Sequence, residues 1–168
     1  LTDWFEKGFS DFVIKHSLNQ LTEAWQTMQK HNRHSKPLLF AYLVALAKAQ
    51  QSERIESILL EQKKLLDNVF ILNVLRRYFE INHSVQMDKL FQRVQSQLNK
   101  NPEDKALLSV LGYLAAGQKD HQLARQALEK IIYSQPNTLE LKLYAQELGL
   151  LGDTQKSLEV YHSISASN

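Results

Sequence analysis

The chain has 168 residues, of which 43% are hydrophobic and 23% charged, with a net charge of +2 at pH 7. That is enough for one domain or one unbroken array with a proper core, and the charge is too balanced for a nucleic-acid partner without a concentrated basic stripe. The absence of cysteine excludes disulfides, thiolate metal sites and cysteine nucleophiles, and no run approaches the roughly 18–20 apolar residues of a membrane-spanning helix.

In chain order, Thr2, Ser17, Ser35, Ser52, Asp67 or Asn68, Ser84, Asn101, Asp120, Asn137 and Asp153 each precede an apolar-periodic run. Their side-chain oxygens can accept from the free amides of a first helical turn, which predicts ten helix starts and hence five hairpins. Ser17 with Gln20 reads as a capping box, and Asn101-Pro102-Glu103-Asp104 places a cap, an early proline and first-turn acids in order. Gly152 before Asp153 reads as a stop followed by a new start. The hairpins fall at about 2–35, 36–67, 68–101, 102–137 and 138–166, with helices of about 12 to 16 residues and short connections, in a single domain over 1–168.

The apolar residues return in phase. Leu21, Ile55, Leu90, Ala124 and, with a polar exception, Ser157 are spaced by 34, 35, 34 and 33. Phe5, Leu39, Val74, Leu108 and Leu141 share a second phase; Trp25, Leu59, Val94, Leu128 and Tyr161 share a third; Phe12, Leu46, Ile81, Ala115 and Leu148 share a fourth. A period near 34 predicts an all-α superhelical solenoid of about five helical hairpins, and it moves the question from catalysis to binding. Stripes such as Phe5, Phe9 and Phe12, or Leu107, Leu108, Leu111 and Leu114, need a neighbouring hairpin to cover them. Leu111→Ala is therefore expected to cost about 2 to 5 kcal/mol.

Such arrays bind along the face made by the first helix of each hairpin. In this register the face carries Phe40, Val44, Lys48, Leu75, Arg76, Phe79, Asn82, His83, Tyr113 and Gln146, an apolar and aromatic groove with cationic edges. It suits a partner helix or apolar segment, and the same residues could equally be plain core. Lysine–asparagine carboxylate clamps grip chaperone tails in some helical-repeat domains, but Glu6, Phe40, Val44 and Leu75 stand at those positions, which disfavours that function. Arg76 is expected to reach a ligand; Arg77, on an otherwise apolar face, is expected to snorkel or to pair. Lys30, His31, Arg33, His34 and Lys36 cluster at an expected helix end. They complement the helix dipole, or touch anionic headgroups through Lys30, Arg33 and Lys36. None of the six histidines belongs to a metal-protease pattern, and no metal site is expected. Haem would have to use histidine or tyrosine, His83 first, so no cofactor is the simpler reading. No phosphate loop, nucleophile elbow or paired carboxylate is present, and no enzyme activity is expected.

Leu108, Leu111-Gly112, Ala115, Ala124, Leu128 and Pro136, then Tyr144-Ala145, Leu148, Gly152-Asp153 and Tyr161, resemble the tetratricopeptide repeat. Phe9, Leu43 and Tyr78 stand where that repeat has a small residue, so those hairpins are expected to splay. From about Leu21 to Ile164 the order of these blocks, with Ala124-Arg125, Leu128-Glu129 and, upstream, Trp25, Arg33, Pro37, Ala41 and Tyr42, is similar to the C-terminal region of the HemY-type tetratricopeptide proteins of proteobacteria. His121 replaces a tryptophan common there, which would loosen one inter-helix contact. The resemblance implies a non-catalytic scaffold for late haem-biosynthesis enzymes. Its parent would be anchored in the inner membrane with the repeats on the cytoplasmic face, while this piece itself would be soluble. A chain starting at Leu1 fits excision from something longer, and the exposed ends of such an array leave self-association open. The competing reading is a generic repeat adaptor for envelope assembly or secretion.

Overall fold

The computed structural model describes residues 18–62, 66–134 and 137–167. Thr2, Phe5, Glu6, Phe9, Phe12, Ser17 and Pro136 lie outside them. Among the described residues the protein is all-helical: α1 (Leu18–Lys30), α2 (Lys36–Lys48), α3 (Ser52–Glu61), α4 (Asn68–Asn82), α5 (Asp88–Lys100), α6 (Lys105–Gly117), α7 (His121–Glu129), α8 (Thr138–Leu150) and α9 (Thr154–Ala166).

Most starts are capped where the side chains predict. Ser35 Oγ accepts from Leu38 N (3.3 Å), Asp67 Oδ1 from Phe70 N (2.8 Å), Asp120 Oδ1 from Leu123 N (3.1 Å), Asn137 Oδ1 from Leu139 N (2.9 Å) and Asp153 Oδ1 from Lys156 N (3.4 Å). Three starts differ. Asp104 rather than Asn101 caps α6, accepting from Leu107 N at 2.9 Å, and Asn101 instead ends α5. Ser52 is already inside α3, and the cap position, Gln51, makes no side-chain capping bond. Ser84 sits in a loop, because Val85 and Met87 are drawn fully into the core before α5 begins at Asp88. Two helices are shorter than expected, α3 with 10 residues and α7 with 9. After α7 the chain tightens into turns, with Ile131 N and Ile132 N both donating to the Leu128 carbonyl.

Four turns are built alike. Asn32, Gln50, Lys119 and Gly152 take positive φ values of 54°, 57°, 64° and 87°. The next amide donates back to the carbonyl five residues earlier: Arg33 to Met28 (2.9 Å), Gln51 to Leu46 (3.0 Å), Asp120 to Ala115 (2.9 Å) and Asp153 to Leu148 (2.9 Å). This double closure of a helix end in the left-handed region is the Schellman arrangement, which glycine enters without penalty at Gly152. The turn after α4 is different. His83 has φ 56° and makes the single bond to Phe79 O at 2.8 Å, and four more residues precede α5.

Among the described helices, every substantial contact joins helices adjacent or next but one in the chain. The first helices of the pairs lie in a row, α2 on α4, α4 on α6 and α6 on α8, with α3 against α5 alongside. Most of the described residues in the apolar phases are buried: Leu21, Ile55, Leu90 and Ala124 are all 1% exposed or less, while Ile81 and Leu141 are only half-buried. The polar exception, Ser157, is buried with its hydroxyl donating to the Ala145 carbonyl at 2.6 Å. Tyr161 departs from its phase. Trp25, Leu59, Val94 and Leu128 are buried, whereas Tyr161 is 42% exposed with no described helix beyond α9 to cover it.

Candidate functional site

Aromatic rings and side-chain amides tie the row of first helices together. Phe40 of α2 meets Phe70 of α4 edge-on at 6.0 Å, and Asn82 Nδ2 donates to the Ala47 carbonyl at 3.0 Å. Phe79 of α4 meets Tyr113 of α6 at 5.6 Å and His83 at 6.2 Å, both edge-on. Val44, Leu75 and Tyr113 are buried, so they pack the row rather than offer a surface, while Lys48, His83 and Gln146 are exposed.

Arg76 spans further. Its Nε and Nη2 both donate to Glu140 Oε1 of α8, at 2.9 and 2.5 Å, and its Nη1 donates to Asn73 Oδ1 at 3.1 Å. The expectation that Arg76 reaches a ligand therefore meets a guanidinium already matched by a carboxylate of this chain. Glu140 is 1% exposed, and its second oxygen, Oε2, is buried with no hydrogen-bond partner. A buried acceptor left empty costs on the order of 1–3 kcal/mol, and a buried charge requires its partner more strongly still. Tyr113 lies in the same field. Burial, and then the Glu140 charge, push its hydroxyl well above the usual tyrosine range, and Arg76 opposes them.

Beside this pair opens a cleft of about 230 Å³, walled by Leu72 and Arg76 of α4, Lys105 and Ser109 of α6, Ile131 and Ser134 of the connection after α7, and Asn137 and Glu140 at the start of α8. The short α7 and its tightened exit place Ile131 and Ser134 there. Of the residues expected to bind, only Arg76 lines this cleft; Phe40, Val44, Lys48, Phe79, His83 and Gln146 do not. The residues missed are Lys105, Ser109, Ser134 and above all Glu140. One signal was available for Glu140: it repeats the phase of Leu107, a buried position, 33 residues later.

A second polar bridge joins α7 to α8. His121 Nδ1 lies 2.5 Å from Oε2 of Glu147, which is 1% exposed and has its carboxyl pushed up by burial and pulled down by His121. The contact expected to loosen at His121 is thus made polar. Arg77 pairs with Glu80 at 2.8 Å on the surface, one of its two expected roles. In the basic cluster, Lys30, His31, Arg33, His34 and Lys36 are exposed; Lys30 ends α1, and Lys36 lies 3.8 Å from Asp67. No group of three or more metal-binding side chains gathers among the described residues, and no helix among them is long and apolar enough to cross a membrane.

Comparison with family models, curated proteins and solved structures finds no match to this chain.

Proposed function

We propose that this chain is a non-catalytic protein–protein interaction scaffold, a solenoid of tetratricopeptide-like hairpins that receives a partner segment along the row of α2, α4, α6 and α8. The observation that carries this reading is the row itself: described helices that contact near neighbours, on a period near 34 residues, with a cleft opening between three of them. The repeated Schellman turns at Gln50, Lys119 and Gly152 add to it, since they give three hairpins one geometry.

The resemblance to HemY-type proteins extends the proposal to a class of partner, enzymes of late haem biosynthesis, and to a place, the cytoplasmic face of the inner membrane. Affinity purification of the full-length parent from detergent-solubilised membranes tests both. Co-purification of a ferrochelatase or porphyrin oxidase is the expected result. Recovery of envelope-assembly or secretion components instead would transfer the scaffold to the generic adaptor reading, and recovery of no partner would overturn the scaffold.

A further inference from the structure

We propose that the open side of α9 docks one amphipathic helix of a partner protein through an uncharged contact row, in the way that α7 holds α8. The inference goes beyond the row of first helices, because it concerns the end of the array.

The contact between α7 and α8 supplies the pattern. His121 of α7 reaches Glu147 at 2.5 Å, Glu129 accepts from the Tyr144 hydroxyl at 3.0 Å, and Leu128 beside them is fully buried. At a spacing of 33 residues, His121, Arg125, Leu128 and Glu129 of α7 correspond to Thr154, Leu158, Tyr161 and His162 of α9. The four positions are buried or half-buried on α7, and all four are exposed on α9, Leu158 by 54%. Of the seven large hydrophobic side chains exposed among the described residues, five (Leu139, Leu150, Leu151, Leu158 and Tyr161) belong to α8, α9 and the turn between them. Apolar side chains gathered at one end, in phase with an interface already built one pair earlier, mark the seat of a further helix.

The chemistry of the occupant follows from what changes between the two stripes. Where α7 offers Arg125 and Glu129, α9 offers Leu158 and His162, so the open stripe holds no carboxylate, lysine or arginine. The charges nearby are engaged elsewhere: Lys156 lies 3.7 Å from Glu129, and Glu159 accepts from Gln155 at 3.2 Å. A charged contact row would be buried without a partner, whereas leucines at i, i+3, i+4 and i+7 would cover Leu158 and Tyr161. The described residues of a second copy offer no such row. Val69 on α4 and Tyr133 after α7 are their other exposed large hydrophobics, so a copy could answer only with the same face.

A stapled helical peptide of about four turns, with one leucine row on a glutamate and lysine surface, tests the assignment beside a peptide of the same composition whose leucines are scattered. In titrations of the 15N-labelled chain, the row peptide is expected to shift the amides of Leu158, Tyr161, His162 and Ser165 saturably and to bind at least tenfold tighter than the scattered one. Leu158→Gln alters an exposed side chain, so the urea midpoint should hold while affinity for the row peptide falls several-fold. Leu158→Glu sets a charge under the leucines and should weaken binding further. Equal affinity for the two peptides, saturation at the amides of other helices, undiminished binding by Leu158→Glu, or no saturable shift would overturn the site. So would concentration-dependent dimerisation that Leu158→Glu abolishes, since the face would then belong to a second copy. If the site fails while the parent still captures partners, the row of first helices stands; a working site on a parent that captures nothing is the reverse case.

Discussion

The two C-terminal helix pairs and the pair in the middle of the chain share one repeat phase but not one geometry. Gly112 in α6 and Ala145 in α8 fall at the same phase as Tyr78 in α4, at spacings of 34 and 33. The pairs α6–α7 and α8–α9 lie flush, while α4 and α5 make no comparable contact and α2–α3, with Leu43 at that position, falls between. Any Cβ on Gly112 would sit 2.9 Å from Leu128 Cδ2, so only the missing side chain lets α7 come that close. Tyr78 fills the same space itself, buried at 5% exposed, and the chain answers with a longer connection whose Val85 and Met87 plug the core. Val85 docks on the end of α6, its amide reaching the Gly117 carbonyl at 3.4 Å. A single residue position thus decides whether a hairpin closes on itself or is closed by its neighbour.

Four substitutions probe that contrast, in descending order of effect. Tyr78→Ala should open a cavity the loop cannot refill and cost about 3–5 kcal/mol in urea unfolding; a loss below about 1 kcal/mol would mean the tyrosine is not what fills the middle pair. Gly112→Leu forces new atoms against Leu128 and should cost about 1–3 kcal/mol, and an unchanged midpoint would show that the tight pair has slack. The third is a pH effect on the α7–α8 bridge. The Glu147 carboxyl is raised from an ordinary 4.5, chiefly by burial, so the folded state holds its proton more tightly than the unfolded one. Its contribution is therefore fully present below the unfolded value and is lost as pH rises through the folded one. Glu147→Gln should gain stability relative to the parent on going from acid to neutral pH, and parallel pH profiles for the two proteins would contradict the assignment. Last, Lys36→Gln removes an exposed 3.8 Å pair with Asp67 and should change stability by less than about 1 kcal/mol, an effect that salt should abolish.

How much of this could be read beforehand depends on distance along the chain. Caps at Ser35, Asp67, Asp120, Asn137 and Asp153 were legible because each acts on amides two or three residues away. Asn101 misled because two competent caps stand three residues apart, and only packing selects Asp104. The looseness at Tyr78 was legible from side-chain size alone. The cleft was not, since Arg76 and Glu140 are 64 residues apart and no local rule pairs them. Glu140 and Glu147 did leave a trace, as acids at positions that one repeat earlier hold the buried Leu107 and Leu114. A carboxylate in an apolar phase predicts a cationic or imidazole partner, though not which one.

Contacts confined to near neighbours also govern how the molecule yields to mechanical load. Among the described helices, tension would pass between helices adjacent or next but one in the chain, with no distant strut to share it. The middle pair would peel apart only as α3 and α6 let go of α5, since α4 does not hold it, while α6–α7 and α8–α9 would resist through their own contact.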